Sequence, residues 1–195
     1  MMRRGIFGGS FDPPHLGHLI IAQRIAEQKH LDIVTWVPAR TPPHKNPEYI
    51  LEASYRLDMV RLAIADNPLF EVSEIEMNAS QPPWTIFLLE RFRKENPADE
   101  LHLIIGGDSL AEFNTWRDYR KLWQLAQIDV AMRPGINISS VNDEIIDNVS
   151  IVETPQIAIS STEIREIVAK GGSLRYLVPE AVRDYIEENR LYLAR

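Results

Sequence analysis

Three observations on these 195 residues predict an α/β fold with a mostly parallel sheet covered by helices on both faces. Short β-rich apolar runs alternate along the chain with segments whose apolar residues recur at helical spacing. The best-defined strand signal, Leu103-Ile104-Ile105, is continuously apolar, as a strand buried on both faces must be. The first strand runs through a glycine turn straight into a helix, the opening unit of such folds.

The elements follow in order. Strands are predicted over Arg4–Gly8, Ile33–Pro38, Leu69–Glu76, Leu101–Gly106, Ile128–Met132 and Ser150–Val152. Helix-period apolar residues lie between them, over Leu16–Lys29, Glu52–Asp66, Thr85–Asn96 and Tyr119–Ala126. Two helices close the chain: Thr162–Lys170, stopped by Gly171-Gly172, and Glu180–Asn189, entered through Pro179. The polar stretch Gly135–Asn148 reads as a surface excursion, and the loops at Thr41-Pro42-Pro43 and Gln81-Pro82-Pro83 as rigid rims of a pocket at the carboxyl ends of the strands. The length suits one domain spanning residues 1–195.

Composition narrows the function. With 28 acidic and 21 basic residues the net charge is −7, which disfavours nucleic acid and acidic membrane surfaces as partners. No apolar run approaches the roughly 18 residues that span a bilayer. The absence of cysteine excludes a disulfide framework and a thiol nucleophile, and fits a cytoplasmic protein. Basic residues cluster locally, as Arg40, His44 and Lys45, then Arg133 and Arg165, a distribution suited to a small phosphorylated metabolite. Neither G-x-x-x-x-G-K-[ST] nor G-x-G-x-x-G is present, so phosphates must be held in another way.

That way is offered by Gly8-Gly9-Ser10-Phe11-Asp12-Pro13-Pro14-His15-Leu16-Gly17-His18. Gly8 and Gly9 permit positive φ and close approach of a ligand to bare backbone, and the helix starting near Leu16 aims unpaired N–H groups at it. His15 and His18, three apart, share one face of the first turn. A glycine turn can be no more than a turn, and a His pair can be half of a metal site. The second segment, Ile159-Ser160-Ser161-Thr162-Glu163-Ile164-Arg165, is a helix start of capping-box type whose hydroxyls, amides and guanidinium can also bind an anion. The third, Val37 to Lys45, is a basic loop, solvated or ligand-facing. The fourth, Leu103 to Ser109, ends a buried strand, with Trp116 beyond it among the polar residues Asn114, Thr115 and Arg117: a core anchor or a stacking platform for a flat heterocycle.

The HxGH turn and the ISSTxxR segment resemble the signatures of the nucleotidyltransferase superfamily, and GGSFDPPHLGH is similar to the bacterial nicotinate-mononucleotide adenylyltransferase family. The resemblance covers nearly the whole chain. It implies a Rossmann-like, doubly wound nucleotidyltransferase fold and transfer of AMP from ATP, with Mg²⁺, to nicotinate mononucleotide, giving nicotinate adenine dinucleotide and pyrophosphate. It further implies His15, His18, Lys45 and Arg165 at the reacting phosphates, with Gly8, Gly9, Ser10, Phe11 and His44 beside them. Ser160, Ser161 and Thr162 lie over the triphosphate. Trp116 lies against the pyridine ring with Thr85 near its carboxylate, and Gly106 and Asp108 line the adenosine side. Arg133 is a further ligand candidate, and no protein cage for the metal is expected. Where the family commonly has an acidic residue two positions beyond the threonine, this chain has Phe87. Transfer to the amidated mononucleotide or to pantetheine phosphate, and binding without turnover, stand as alternatives. Oligomeric state is left open by the sequence.

Overall fold

The computed structural model describes residues 1–41, 50–77, 80–132, 141–155 and 157–193. His44, Lys45 and Arg133, three of the predicted site residues, lie outside them.

Six strands form one parallel sheet: β1 (Arg3–Gly9), β2 (Ile33–Pro38), β3 (Phe70–Val72), β4 (Glu100–Gly106), β5 (Gln127–Met132) and β6 (Ser150–Glu153), in the order β3-β2-β1-β4-β5-β6. The helices are α1 (Leu16–Gln28), α2 (Ala53–Ile64), α3 (Thr85–Glu95), α4 (Gly107–Ala111), α5 (Tyr119–Leu125), α6 (Asp143–Ile146), α7 (Ser161–Ala169) and α8 (Glu180–Glu188). The order reverses between β1 and β4. At such a switch point crossovers leave in opposite directions, and a crevice opens beyond the carboxyl ends of the strands.

Period-two alternation assigns each strand residue to one of two apolar layers. Phe7, Val34, Trp36, Ile104 and Val152 pack on one face with Ile21 and Ile25 of α1, Met59 and Val60 of α2, and Val182 and Ile186 of α8. Ile6, Leu103, Ile105, Ile128 and Val130 pack on the other with Ile86, Leu89 and Phe92 of α3 and Leu122 of α5. Helices on both faces explain why the strands read as continuously apolar.

The structure corrects the sequence reading in several places. β3 has three residues, not the eight of Leu69–Glu76, because beyond Val72 the chain turns away from β2. Two short elements, α4 and a 3₁₀ turn over Phe113–Thr115, occupy a stretch to which the sequence assigned no element, and α6 lies within the supposed excursion, its N-cap Asn142 accepting from the Glu144 amide at 2.9 Å. Gly8 and Gly9 do not adopt positive φ: both belong to β1. The residue that turns there is Phe11, at φ 46°.

Candidate active site

The switch point holds a cavity of about 450 Å³. Its floor is the ends of three neighbouring strands, Phe7 to Gly9 of β1, Val37 of β2 and Leu103 to Gly106 of β4. Its walls are Ser10, Thr85 at the start of α3, Ser109 of α4, and Thr115, Trp116 and Arg117. Gly8, Gly9, Ser10, Thr85, Gly106 and Trp116, far apart in sequence, thus meet at one cavity. A Cβ at Gly8 or Gly106 would meet no atom within 4 Å, so what these glycines keep is open space for a ligand. Gly9 has a different reason: a Cβ there would lie 2.9 Å from the Phe11 ring.

Phe11 itself is a correction. Its side chain is 1% exposed and packs with Phe7, His18 and Trp36, so the ring is a core wedge beneath the turn and cannot touch a ligand. Asp108 stands exposed on the first turn of α4 and does not line the cavity, whereas its neighbour Ser109 does. Trp116 combines both readings offered by the sequence: it packs on Phe113 at 5.2 Å and also presents itself to the cavity.

Beside the cavity, β1 leads through Asp12 and Pro13 to the histidines. His15 is the N-cap of α1, and its Nδ1 accepts from the His18 amide at 3.3 Å while His18 Nδ1 accepts from the His15 amide at 3.2 Å. Two histidines thus form a reciprocal capping box. An Nδ1 that accepts is unprotonated, so the ring proton of each neutral imidazole sits on Nε2, the nitrogen aimed away from the helix backbone. The rings stack at 3.6 Å, and a Cβ on Gly17 would lie 3.0 Å from His15 Nδ1. The glycine of the HxGH turn therefore makes room for the first histidine.

The start of α7 is tied to this turn. The Ser160 side chain caps the helix by accepting from the Glu163 amide at 3.1 Å, Ser161 Oγ donates to the Pro13 carbonyl at 2.9 Å, and Arg165 Nη1 donates to the Asp12 carbonyl at 2.8 Å. Arg165 Nη2 also donates to Thr162 Oγ1 at 3.2 Å. His15, His18, Ser160, Ser161, Thr162 and Arg165 thereby form one cluster from two helix N-termini, a donor-rich surface suited to phosphate oxygens.

Two supporting residues had no sequence signal beyond their place on a helix or near the terminus. Arg56 of α2 is fully buried and donates to the carbonyls of Leu51, Ser10 and Arg40 at 2.9, 2.7 and 3.0 Å, pinning the glycine turn and the loop after β2. Burial lowers its pKa, opposed by the nearby Asp12, Tyr192 and Glu76. Tyr192 donates from its hydroxyl to Asp12 Oδ1 at 2.8 Å, and burial, then the Asp12 charge, pushes its phenol up, so it remains a neutral donor.

No three His, Asp or Glu side chains converge as a cation cage among the described residues. Asp12, the buried carboxylate here, has Oδ1 engaged by Tyr192 and Oδ2 at 3.8 Å from Arg165. Imidazoles, amides and a guanidinium suit anions, so a divalent cation fits this place as the companion of a polyphosphate.

Residues 6–167 match the family model described as cytidylyltransferase-like. A protein of Exiguobacterium sibiricum is 41% identical over 98% of this chain and 99% of its own, and one of Symbiobacterium thermophilum 39% identical over 99% and 96%; both are named "probable nicotinate-nucleotide adenylyltransferase". The chain belongs to the nicotinate-nucleotide adenylyltransferase family within the cytidylyltransferase-like proteins. Among solved structures, the nicotinic acid mononucleotide adenylyltransferase of Plasmodium falciparum has a similar fold, with TM-scores of 0.80 in its complex with APC and 0.81 in its complex with NaAD. Identity there is 19% over 98% of each chain.

Proposed function

We propose that this member of the family transfers AMP from ATP to nicotinate mononucleotide, releasing pyrophosphate and forming nicotinate adenine dinucleotide, a step of NAD biosynthesis. The observation that carries the reading is the adjacency of two unlike sites at the switch point. A cavity walled by Thr85 and Trp116 suits a flat pyridine ring, and beside it lies the donor cluster of His15, His18 and the α7 N-terminus.

The reaction asks little covalent work of the protein. A 5′-phosphate oxygen of the mononucleotide attacks the α-phosphorus of ATP. As that bond forms, the bond from the α-phosphorus to the bridging oxygen breaks, and the electron pair leaves with pyrophosphate. The nucleophile is already ionised, so no general base is required; positioning two polyanions in line and stabilising developing charge supply the catalysis. His18 and His15 present Nε2–H donors to the α-phosphate and its neighbour, and Arg165 offsets charge on the leaving group. Ser160, Ser161 and the free amides of α7 cradle the triphosphate. Lys45 and His44, which follow β2 in the sequence, and Arg133 are proposed as further phosphate contacts. Mg²⁺, bound with ATP rather than in a cage of protein side chains, would supply charge neutralisation beside the donors of His15, His18 and Arg165.

Trp116→Ala tests the placement of the acceptor. Loss of the stacking platform raises KM for the mononucleotide about 5- to 150-fold, on the order of 1–3 kcal/mol per stacked base, while KM for ATP changes less than about threefold. Equal effects on both substrates would show that the ring only packs on Phe113.

A further inference from the structure

We propose that Arg117 sets the preference of the acceptor site for a pyridine ring bearing a carboxylate over one bearing a carboxamide. The inference rests on the reading of the switch-point cavity as a pyridine mononucleotide site. The two candidate acceptors share ring, ribose and phosphate, and their substituents are nearly the same size. Stacking on Trp116 therefore cannot tell them apart; they differ in formal charge and in the exchange of one acceptor oxygen for an NH₂ donor, and a cationic N–H donor at the edge of the ring responds to both differences.

Arg117 is such a cation. It lines the cavity together with Trp84, Thr85 and Trp116. Its guanidinium carbon lies 5.1 Å from the centroid of the Trp84 ring, a cation–π contact. A cation–π contact consumes none of the in-plane N–H donors of a guanidinium, which can donate to a carboxylate in fork geometry. Trp84 is itself backed by Phe87, stacked at 5.5 Å and 25°. An acid at position 87 would place a negative charge near this arginine; phenylalanine leaves a wall of aromatic rings.

The charge of Arg117 is not consumed by the protein. Its ion pair is with the adjacent Asp118, 3.5 Å away, between side chains 62% and 40% exposed, a contact of small net value. Among the described residues, the acid lining the cavity is Glu76, whose carboxyl burial pushes up toward its neutral form. Glu76 also borders the adjoining cavity of about 340 Å³ beyond Trp84 and Phe87.

The test compares kcat/KM for nicotinate mononucleotide and nicotinamide mononucleotide, with ATP and Mg²⁺, in the wild type, Arg117→Gln and Arg117→Lys. Because the arginine is largely exposed, its charge-assisted contact is worth about tenfold rather than the larger factors of a fully buried pair. Arg117→Gln is expected to lower the acid-to-amide ratio about tenfold, chiefly through KM for the acid, with KM for ATP unmoved. Arg117→Lys keeps the charge without the fork and retains most of the ratio. Equal loss with both acceptors in Arg117→Gln would overturn the proposal, showing that the arginine only braces Trp84, and so would an unchanged ratio. If the wild type turned over neither mononucleotide, the functional reading would fall first and this inference with it; an active wild type whose Gln variant keeps the ratio removes only the inference.

Discussion

At the scale of single residues, the two histidines do what an ordinary N-cap would do more cheaply. Ser, Thr, Asp or Asn is preferred at that position. Each imidazole that caps through Nδ1 carries a second ring nitrogen, Nε2, and this second property is what a serine lacks. His18→Ala should therefore lower kcat by about 100- to 1,000-fold, the usual worth of one preorganised donor at a developing oxyanion. Its cost in stability should be only about 1 kcal/mol, the loss of one cap contact. Steady-state kinetics beside urea denaturation separates the two effects, and a variant with near-normal kcat would remove His18 from the reaction. The same turn shows how far residues could be read in advance. The histidine spacing was legible because helical geometry alone places i and i+3 together. The role of Gly17 was not, because it depends on the His15 ring standing 3.0 Å from where a Cβ would be. Phe11 looked like part of the ligand loop and is a core side chain, since sequence shows neighbours in the chain and not burial.

Among the elements, the long periodic ones were legible to within a residue or two at most ends, and the sheet class followed from their alternation. What escaped was short. α4 has five residues and α6 four, too few for helical periodicity to register, and the three-residue β3 was overextended through Glu76 because Ile75, with its apolar side chain, is buried without belonging to the sheet. Arg56 escaped for another reason. An arginine on a helix is ordinarily solvated, and nothing local announces that three backbone carbonyls from Leu51, Ser10 and Arg40 converge on this one. The site is thus carried by two helix N-termini that were predicted, aligned by a buried guanidinium that was not.

On the scale of the whole molecule, the two ends of the described chain close on each other. Tyr192, after the last helix, donates to Asp12 at the end of the first strand–turn unit, and Arg165 reaches the same aspartate from α7. Tyr192→Phe removes the hydroxyl and leaves a buried carboxylate oxygen without that donor, which should cost about 1–3 kcal/mol in urea denaturation. A variant as stable as the wild type would mean that the contact does not hold the C-terminal segment in place. The molecule as a whole carries a net charge of −7, so the proposed gathering of two polyanions rests on local donors rather than on overall charge. The most direct measurement of that central claim is pyrophosphate release with ATP and Mg²⁺ when nicotinate mononucleotide, nicotinamide mononucleotide and pantetheine phosphate are offered in parallel. Release is predicted to be fastest with nicotinate mononucleotide; release fastest with pantetheine phosphate, or none with any of the three, would contradict it.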